Sequence, residues 1–287
     1  MPQETVTRFA PSPTGYLHLG HAYSLFLNHD SARKFGGVFR LRIEDIDQGR
    51  SRPEFEQAIF DDLKWLGVSW DGPVVRQSER FGIYQDAVAD LAARGLVYRC
   101  FKTRAELSAI ASAPHGPGAK EPLTAPLPPD EEEAMLAEGK AFAWRLNIRA
   151  AMDTLGRREI GATLSDETGA AEERSFDLAA LDDAVMARKD FPTSYHLASV
   201  IDDAAQGVSL VWRGEDLADA LPLHRLLQEL LGLPAPVYRH HRLILGPDGK
   251  RLAKRDKAAT LRSLREEGVS PDEIRRRLNV GAEPGRT

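Results

Sequence analysis

A single cysteine, Cys100, stands in 287 residues, which excludes an internal disulfide and suits a reducing compartment. No apolar run approaches the length of a membrane span. The start, Met1-Pro2-Gln3-Glu4, lacks the basic-then-apolar form of a signal peptide. No internal repeat is present. Basic residues are not in excess: the net charge is −5, which argues against a general polyanion binder. What remains, 42% hydrophobic and 28% charged, is the composition of an ordinary soluble protein with a sizeable core. A cytoplasmic chain with no membrane partner is expected, acting as a monomer.

The most informative stretch lies at the N-terminus. Val6 and Phe9 read as a short strand, broken by Pro11, Pro13 and Gly15 into a tight loop. From Leu19 the spacing of Leu19, Tyr23, Phe26 and Leu27 is helical. A strand, a loop and a helix N-terminus make an anion pocket, because backbone N–H groups and the helix dipole point out of it. His18 and His21 are three apart and share one face of the first turn. Gly20 between them would let a flat base or ribose lie against the backbone. A nucleoside triphosphate is the ligand this arrangement suits. The plainer alternative is two histidines that happen to sit at a helix start.

Beyond that helix, Val38 to Ile43 alternates as a strand and runs into Glu44-Asp45-Ile46-Asp47, carboxylates at a strand's C-terminal end. A helix follows, with Ser51 as a candidate cap, Pro53 in its first turn and Gly67 after its end. Another spans about Tyr84 to Arg94, and Leu96-Val97-Tyr98 resumes as strand. This alternation argues for an α/β protein with a parallel sheet covered on both sides. Near Cys100 the pattern changes. Six of the 18 prolines fall between Pro114 and Pro129, followed by Asp130-Glu131-Glu132-Glu133, so residues 100–182 read as a smaller inserted unit, with a credible strand at 142–148. Order returns from Ala184. Val208 to Trp212 is a near-continuous apolar run, as in a strand buried on both faces. It ends at Arg213-Gly214-Glu215-Asp216, and a helix with Leu223, Leu226, Leu227 and Leu230 on one face follows. Between Arg239 and Arg265 lie nine Lys/Arg against Asp248 and Asp256. Such a patch on an acidic chain suggests a phosphate-bearing partner, or else a solvated loop and helix.

Several of these stretches together resemble a known family. Arg8-Phe9-Ala10-Pro11-Ser12-Pro13-Thr14-Gly15 with His18-Leu19-Gly20-His21 is similar to the signature of class I aminoacyl-tRNA synthetases specific for glutamate. Arg42-Ile43-Glu44-Asp45-Ile46-Asp47, Tyr195-His196-Leu197-Ala198, Val211-Trp212-Arg213-Gly214-Glu215-Asp216 and Arg251-Leu252-Ala253-Lys254-Arg255 follow in that family's order. The resemblance covers nearly the whole chain. It implies a Rossmann-like catalytic sheet in two halves, 1–99 and 183–245, interrupted by a smaller α+β acceptor-binding insertion at 100–182. Residues 246–287 would carry the lysine loop and a short helical extension.

It also implies roles. His18, Gly20, His21, Arg251 and Lys254 would bind ATP, supplied with Mg2+ as substrate, with His18, His21 and Lys254 catalytic. Arg8, Ala10, Ser12, Glu44, Tyr195 and Arg213 would bind glutamate, Glu44 holding the α-ammonium. Either arginine suits either carboxylate, because guanidinium grips carboxylate bidentately. Three departures stand out. Ala253 replaces the hydroxyl residue of the usual lysine loop. Cys100 occupies the first position of a zinc site whose other cysteines are missing, and a structural zinc needs about four ligands, so no structural zinc is expected. The chain also ends at Thr287, soon after Lys254, where full glutamyl-tRNA synthetases continue into an anticodon-reading region. In that shortness it resembles the truncated branch, which activates glutamate without tRNA and esterifies it to the cyclopentenediol of queuosine in the anticodon of tRNA(Asp). The alternatives are a minimal enzyme charging tRNA(Glu) and a catalytically inactive tRNA- or nucleotide-binding paralogue.

Overall fold

The first strand, β1 (Val6–Phe9), is buried along its length. It pairs in parallel with β2 (Val38–Ile43), Val6 opposite Val38 and Phe9 opposite Leu41. Interior parallel strands are covered on both faces, so three polar side chains of these two, Thr7, Arg8 and Arg42, are buried along with Phe9, Phe39, Leu41 and Ile43. Between them runs α1 (Leu19–Lys34), which buries Ala22, Tyr23, Leu25 and Phe26 against the sheet. The computed structural model described here covers residues 4–103, 105–107, 124–166, 168–244 and 260–280.

From β2 the chain enters α2 (Pro53–Trp65), with proline at its first position, Glu54 and Glu56 in its first turn and Lys64 in its last. These charges complement the helix dipole. Ser51 does not cap it: the cap position is Arg52, which makes no side-chain cap bond. The short β3 (Val75–Arg76) pairs in parallel with the end of β2. Then come α3 (Phe81–Ala93), β4 (Val97–Cys100), α4 (Pro129–Ala137), β5 (Ala143–Leu146) and α5 (Ile148–Leu155). A hairpin of β6 (Glu159–Ser165) and β7 (Ala171–Asp177) and the short β8 (Val185–Ala187) follow. β4, β5 and β8 form a three-stranded antiparallel sheet.

The return to the parallel sheet starts at α6 (Tyr195–Ala205), capped by the Ser194 hydroxyl. β9 (Leu210–Gly214), α7 (Leu221–Leu230) and β10 (Val237–His241) complete a second parallel pair, Val237 opposite Leu210 and His241 opposite Gly214. β10 also pairs in parallel with β6, Tyr238 opposite Leu164. The 239–241 stretch that reads as part of a basic patch is therefore a strand. His241 in it is buried, and Arg239 stacks over Trp212 at 5.3 Å. The Ser209 N–H donates to the Val6 carbonyl at 3.0 Å, so β1 lies between β2 on one side and the start of β9 on the other. The chain thus leaves β1 in both directions, a topological switch point, and ligands bind beyond the carboxyl ends of strands at such a point.

Two helices close the described chain, α8 (Leu261–Glu266) and α9 (Pro271–Leu278). Their Leu261, Leu264, Ile274 and Leu278 complete the core formed by Phe9, Phe26, Phe39, Ile59 and Leu63. A second core joins α3, the antiparallel sheet, α6 and α7 around Tyr84, Leu146, Leu197 and Leu226. Among the described residues no helix is long and apolar enough to cross a membrane.

Candidate active site

The start of α1 is capped by its own histidines. His18 is the cap residue, and its Nδ1 accepts the Gly20 N–H at 3.1 Å. In return the His18 N–H donates to Nδ1 of His21 at 3.1 Å. An amide donor needs a lone pair, so neither Nδ1 carries a proton and each ring's proton lies on Nε2. The two rings lie 3.9 Å apart. Gly20 has a direct structural reason: a Cβ there would meet His18 Cε1 at 3.0 Å.

Behind this helix start lies a buried charge cluster. Asp203 Oδ1, from α6, accepts Arg8 Nε at 2.9 Å and Arg42 Nη1 at 2.6 Å. Burial alone would raise the Asp203 carboxyl, but the two guanidiniums outweigh it and hold it at about 2. Arg42, fully buried, also donates from Nη2 to Glu44 at 3.1 Å. Glu44 is raised above the ordinary carboxylate value, because burial exceeds the pull of Arg42 and Arg8. Among the described residues its one direct cation is shared with Asp203, so a second cation at Glu44 would be welcome.

Arg213 is placed differently. It is 4% exposed at the end of β9, yet among the described residues it makes no salt bridge. Its Nε donates to His240 Nε2 at 3.1 Å, and Nη1 lies 3.0 Å from His224 Nδ1. Its guanidinium carbon sits 5.0 Å from the centre of the Tyr238 ring. Nη2 is buried with no hydrogen-bond partner among the described residues. Burial lowers the arginine's proton affinity, but a guanidinium stays charged in proteins. Tyr195 stands alongside, its hydroxyl raised by burial and by the Glu44 carboxylate.

One cleft of about 250 Å3 is lined by Arg8, Ala10, His18, Gly20, His21, Glu44, Tyr195 and Arg213. The structure therefore brings together eight of the residues singled out in the sequence. Ser12 lines an adjoining cavity of about 580 Å3, which shares Glu44 and Tyr195 with the cleft. Arg251 and Lys254 lie outside the described residues. The described chain leaves the cleft at Ile244 and returns at Thr260, which bridges to His18, and the Leu261 N–H donates to the Leu17 carbonyl at 2.8 Å. Glu44 and Arg213, which could have formed a structural ion pair, do not: Glu44 is paired with Arg42. Among the described residues no three His, Cys, Asp or Glu side chains gather to hold a metal ion.

Sequence reasoning missed Arg42 as a buried partner, and with it Asp203, His196, His224 and His240. A signal for some of these existed. Tyr195, His196, Ser199, Asp202 and Asp203 put polar groups on a helix that is otherwise apolar, and buried charges of that kind are paired.

Comparison with known proteins decides the family. The sequence pattern of "tRNA synthetases class I (E and Q), catalytic domain" matches residues 4–281. The chain belongs to that family. It is 48% identical to a glutamyl-Q tRNA(Asp) synthetase of Rhodobacter capsulatus, over 96% of this chain and 100% of that one. It is 38% identical to a glutamate–tRNA ligase of Aquifex aeolicus, over 93% of this chain but only 55% of that one. The crystal structure of a glutamate tRNA ligase from Elizabethkingia meningosepticum, in complex with its amino acid, superposes with a TM-score of 0.72 at 32% identity. That superposition covers 88% of this chain and 52% of the other, so the chain spans about half of that ligase. A methionyl-tRNA synthetase of Mycobacterium tuberculosis, 13% identical with a TM-score of 0.62, shares the fold. This is the class I synthetase catalytic architecture, with its parallel sheet and covering helices.

Proposed function

We propose that this chain, a cytoplasmic ligase of the synthetase family, activates L-glutamate with ATP in the absence of tRNA. It then transfers the glutamyl group to the cyclopentenediol of queuosine at the wobble position of tRNA(Asp). The observation that carries the first step is Arg213, a buried cation without a carboxylate partner among the described residues, in the same cleft as the histidine-capped helix start. A buried charge of this kind calls for a counterion, and the side-chain carboxylate of glutamate supplies it. Glutamine would leave the charge unmatched and is disfavoured. Arg8, already balanced by Asp203, shapes the pocket around the substrate. Glu44 receives the α-ammonium, and Tyr195, Ala10 and Ser12 complete the amino-acid side.

The glutamate α-carboxylate attacks the α-phosphorus of ATP in line. The bond to the bridging oxygen breaks, and pyrophosphate leaves with Mg2+, which enters with ATP as substrate. His18 and His21 donate Nε2–H to phosphate oxygens as charge develops there, with Lys254 and Arg251 adding positive charge. A queuosine hydroxyl then attacks the glutamyl carbonyl, and AMP departs. The adjoining cavity, sharing Glu44 and Tyr195 with the cleft, gives the acceptor nucleoside an approach. Support for the queuosine acceptor comes from the relatives: the chain is 48% identical to the Rhodobacter protein named glutamyl-Q tRNA(Asp) synthetase, against 38% for the Aquifex glutamate–tRNA ligase.

ATP–pyrophosphate exchange with glutamate, followed by transfer of labelled glutamate to queuosine-bearing tRNA(Asp), tests both steps. Exchange without tRNA and labelling of that tRNA alone are expected. Exchange only with tRNA(Glu), and label on it, would instead make the chain a minimal charging enzyme. No exchange at all would leave an inactive nucleotide- or tRNA-binding paralogue.

A further inference from the structure

Around Arg213 the partners are as informative as the arginine. Two of its nitrogens meet histidine nitrogens, His240 Nε2 at 3.1 Å and His224 Nδ1 at 3.0 Å. Because the guanidinium can only donate, both of those ring nitrogens must offer lone pairs. For His224, fully enclosed in α7, the proton then sits on Nε2, which lies 3.1 Å from His196 Nδ1. The tautomers of three rings are thereby set: His224 and His196 in a chain leading away from one nitrogen of Arg213, and His240 on another. His224 and His240 must be uncharged, since a second proton would convert the acceptor of either into a donor facing the Arg213 cation, and His196 must keep the lone pair on Nδ1 that the His224 Nε2–H meets. Burial and the adjacent Arg213 charge both press the same way, holding His224 well below its ordinary value and His240 at about 4. The other charged and titratable groups facing these rings are Arg8 on β1, Tyr195 and Asp203 on α6, His241 on β10, Arg174 on β7 and Asp216 after β9.

We infer that His224 and His240 are specificity-determining positioning residues: uncharged acceptors that orient the Arg213 guanidinium while leaving its charge uncancelled for a substrate carboxylate. An aspartate or glutamate in either place would hold the arginine equally well but would neutralise it. The pocket would then accept an amide side chain almost as readily as an acid. The histidines separate orientation from neutralisation, so the site favours an amino acid with an anionic side chain. This rests on the proposed glutamate activation.

The test compares His224→Asn, which keeps an acceptor near the Nδ1 position, with His224→Leu, which keeps bulk but no acceptor, and His224→Asp, which adds a counterion. Pyrophosphate exchange is measured with glutamate and with glutamine on proteins checked for native circular dichroism. His224→Leu should raise the glutamate KM about tenfold or more with kcat changed little, the size of one charge-assisted hydrogen bond. His224→Asn should stay close to wild type, and His224→Asp should erode the glutamate-over-glutamine ratio most. If His224→Leu leaves KM and that ratio unchanged, or if His224→Asn loses as much as His224→Leu, the inference is overturned. Should His224→Leu not fold, His240→Leu at the more open ring carries the same expectation.

A measurement independent of activity is 15N NMR of the His224 ring. An Nε2–H tautomer with a bonded Nδ1 is expected from about pH 6 to 8. A protonated ring or an Nδ1–H tautomer overturns the inference whether or not the chain activates glutamate. Absence of exchange by the wild-type protein would remove the functional reading instead.

Discussion

Arg213 and Arg8 differ in what surrounds them, and the difference decides what their substitution does. Arg213→Gln keeps a donor but deletes the charge that the substrate carboxylate answers. Losing a buried charge pair of this kind costs ~2–5 kcal/mol, so kcat/KM for glutamate in pyrophosphate exchange should fall by about 1.5 to 3.5 orders of magnitude, with folding intact. Asp203→Asn acts on stability instead. It strips the shared counterion from Arg8 and Arg42, both buried, and breaking such a set costs ~3–5 kcal/mol. Urea denaturation should show that loss directly. An unchanged midpoint would mean that Glu44 alone can balance the two arginines. This cluster also marks the limit of sequence reading. Arg42 in Val38-Phe39-Arg40-Leu41-Arg42-Ile43 looks like the polar half of an alternating strand. Its partner Asp203 lies 161 residues away, and no local pattern announces a pairing over that distance.

At the scale of elements, α1 combines two duties that can be separated. His18 and His21 cap the helix through Nδ1, and the proposed phosphate contacts use Nε2. Loss of a cap costs ~0.5–2 kcal/mol, and loss of a transition-state donor costs ~10²–10³ in rate. His18→Asn should therefore restore the cap, since asparagine is among the best cap residues, yet still lose most of the exchange rate. His18→Ala should lose both. Equal activity of His18→Asn and wild type would assign the histidine a capping role only. The parallel-sheet elements around this helix were readable because β2 alternates, the run leading into β9 is nearly continuous in apolar residues, and α2 and α7 bury one regular face. β10 was not, because Val237-Tyr238-Arg239-His240-His241 carries three basic side chains. In the fold those stack on Trp212, bond to Arg213 or pack against Tyr23, so charge that suggests solvent is used inside. The β6–β7 hairpin escaped notice for the opposite reason. Most of β7 is exposed at the edge of the sheet β7-β6-β10-β9, and without a buried face no alternation of apolar residues develops along it.

For the whole molecule, the buried titratable groups set how stability depends on pH, and they do not all act in one direction. His196, His224 and His240 are all held below their ordinary value, largely by burial. The folded state therefore binds fewer protons than the unfolded chain between those lowered values and the unfolded value of 6.5. Stability is full above that range and falls as pH drops through it. Asp62 on α2 works the other way. It is 0% exposed, neither of its oxygens accepts a hydrogen bond from the described residues, and Arg265 of α8 is 3.4 Å distant and partly exposed. Burial raises its carboxyl from 3.8 to about 6, so the folded state binds the extra proton between those values and stability declines as pH rises through them. Below pH 6 the two effects oppose each other. Asp62→Asn removes the opposing contribution. At pH 7 the variant should be more stable than wild type by ~1–3 kcal/mol, since a tenfold change in proton affinity is worth about 1.4 kcal/mol. Near pH 4 the two proteins should be equally stable, and the variant's loss of stability on acidification should be the steeper. Urea midpoints across this range measure the difference. Equal midpoints at pH 7 would mean that Arg265 neutralises Asp62 fully. The contact would then be a true tie between α2 and the C-terminal helices, beside the bidentate Arg275–Asp30 pair that fastens α9 to α1.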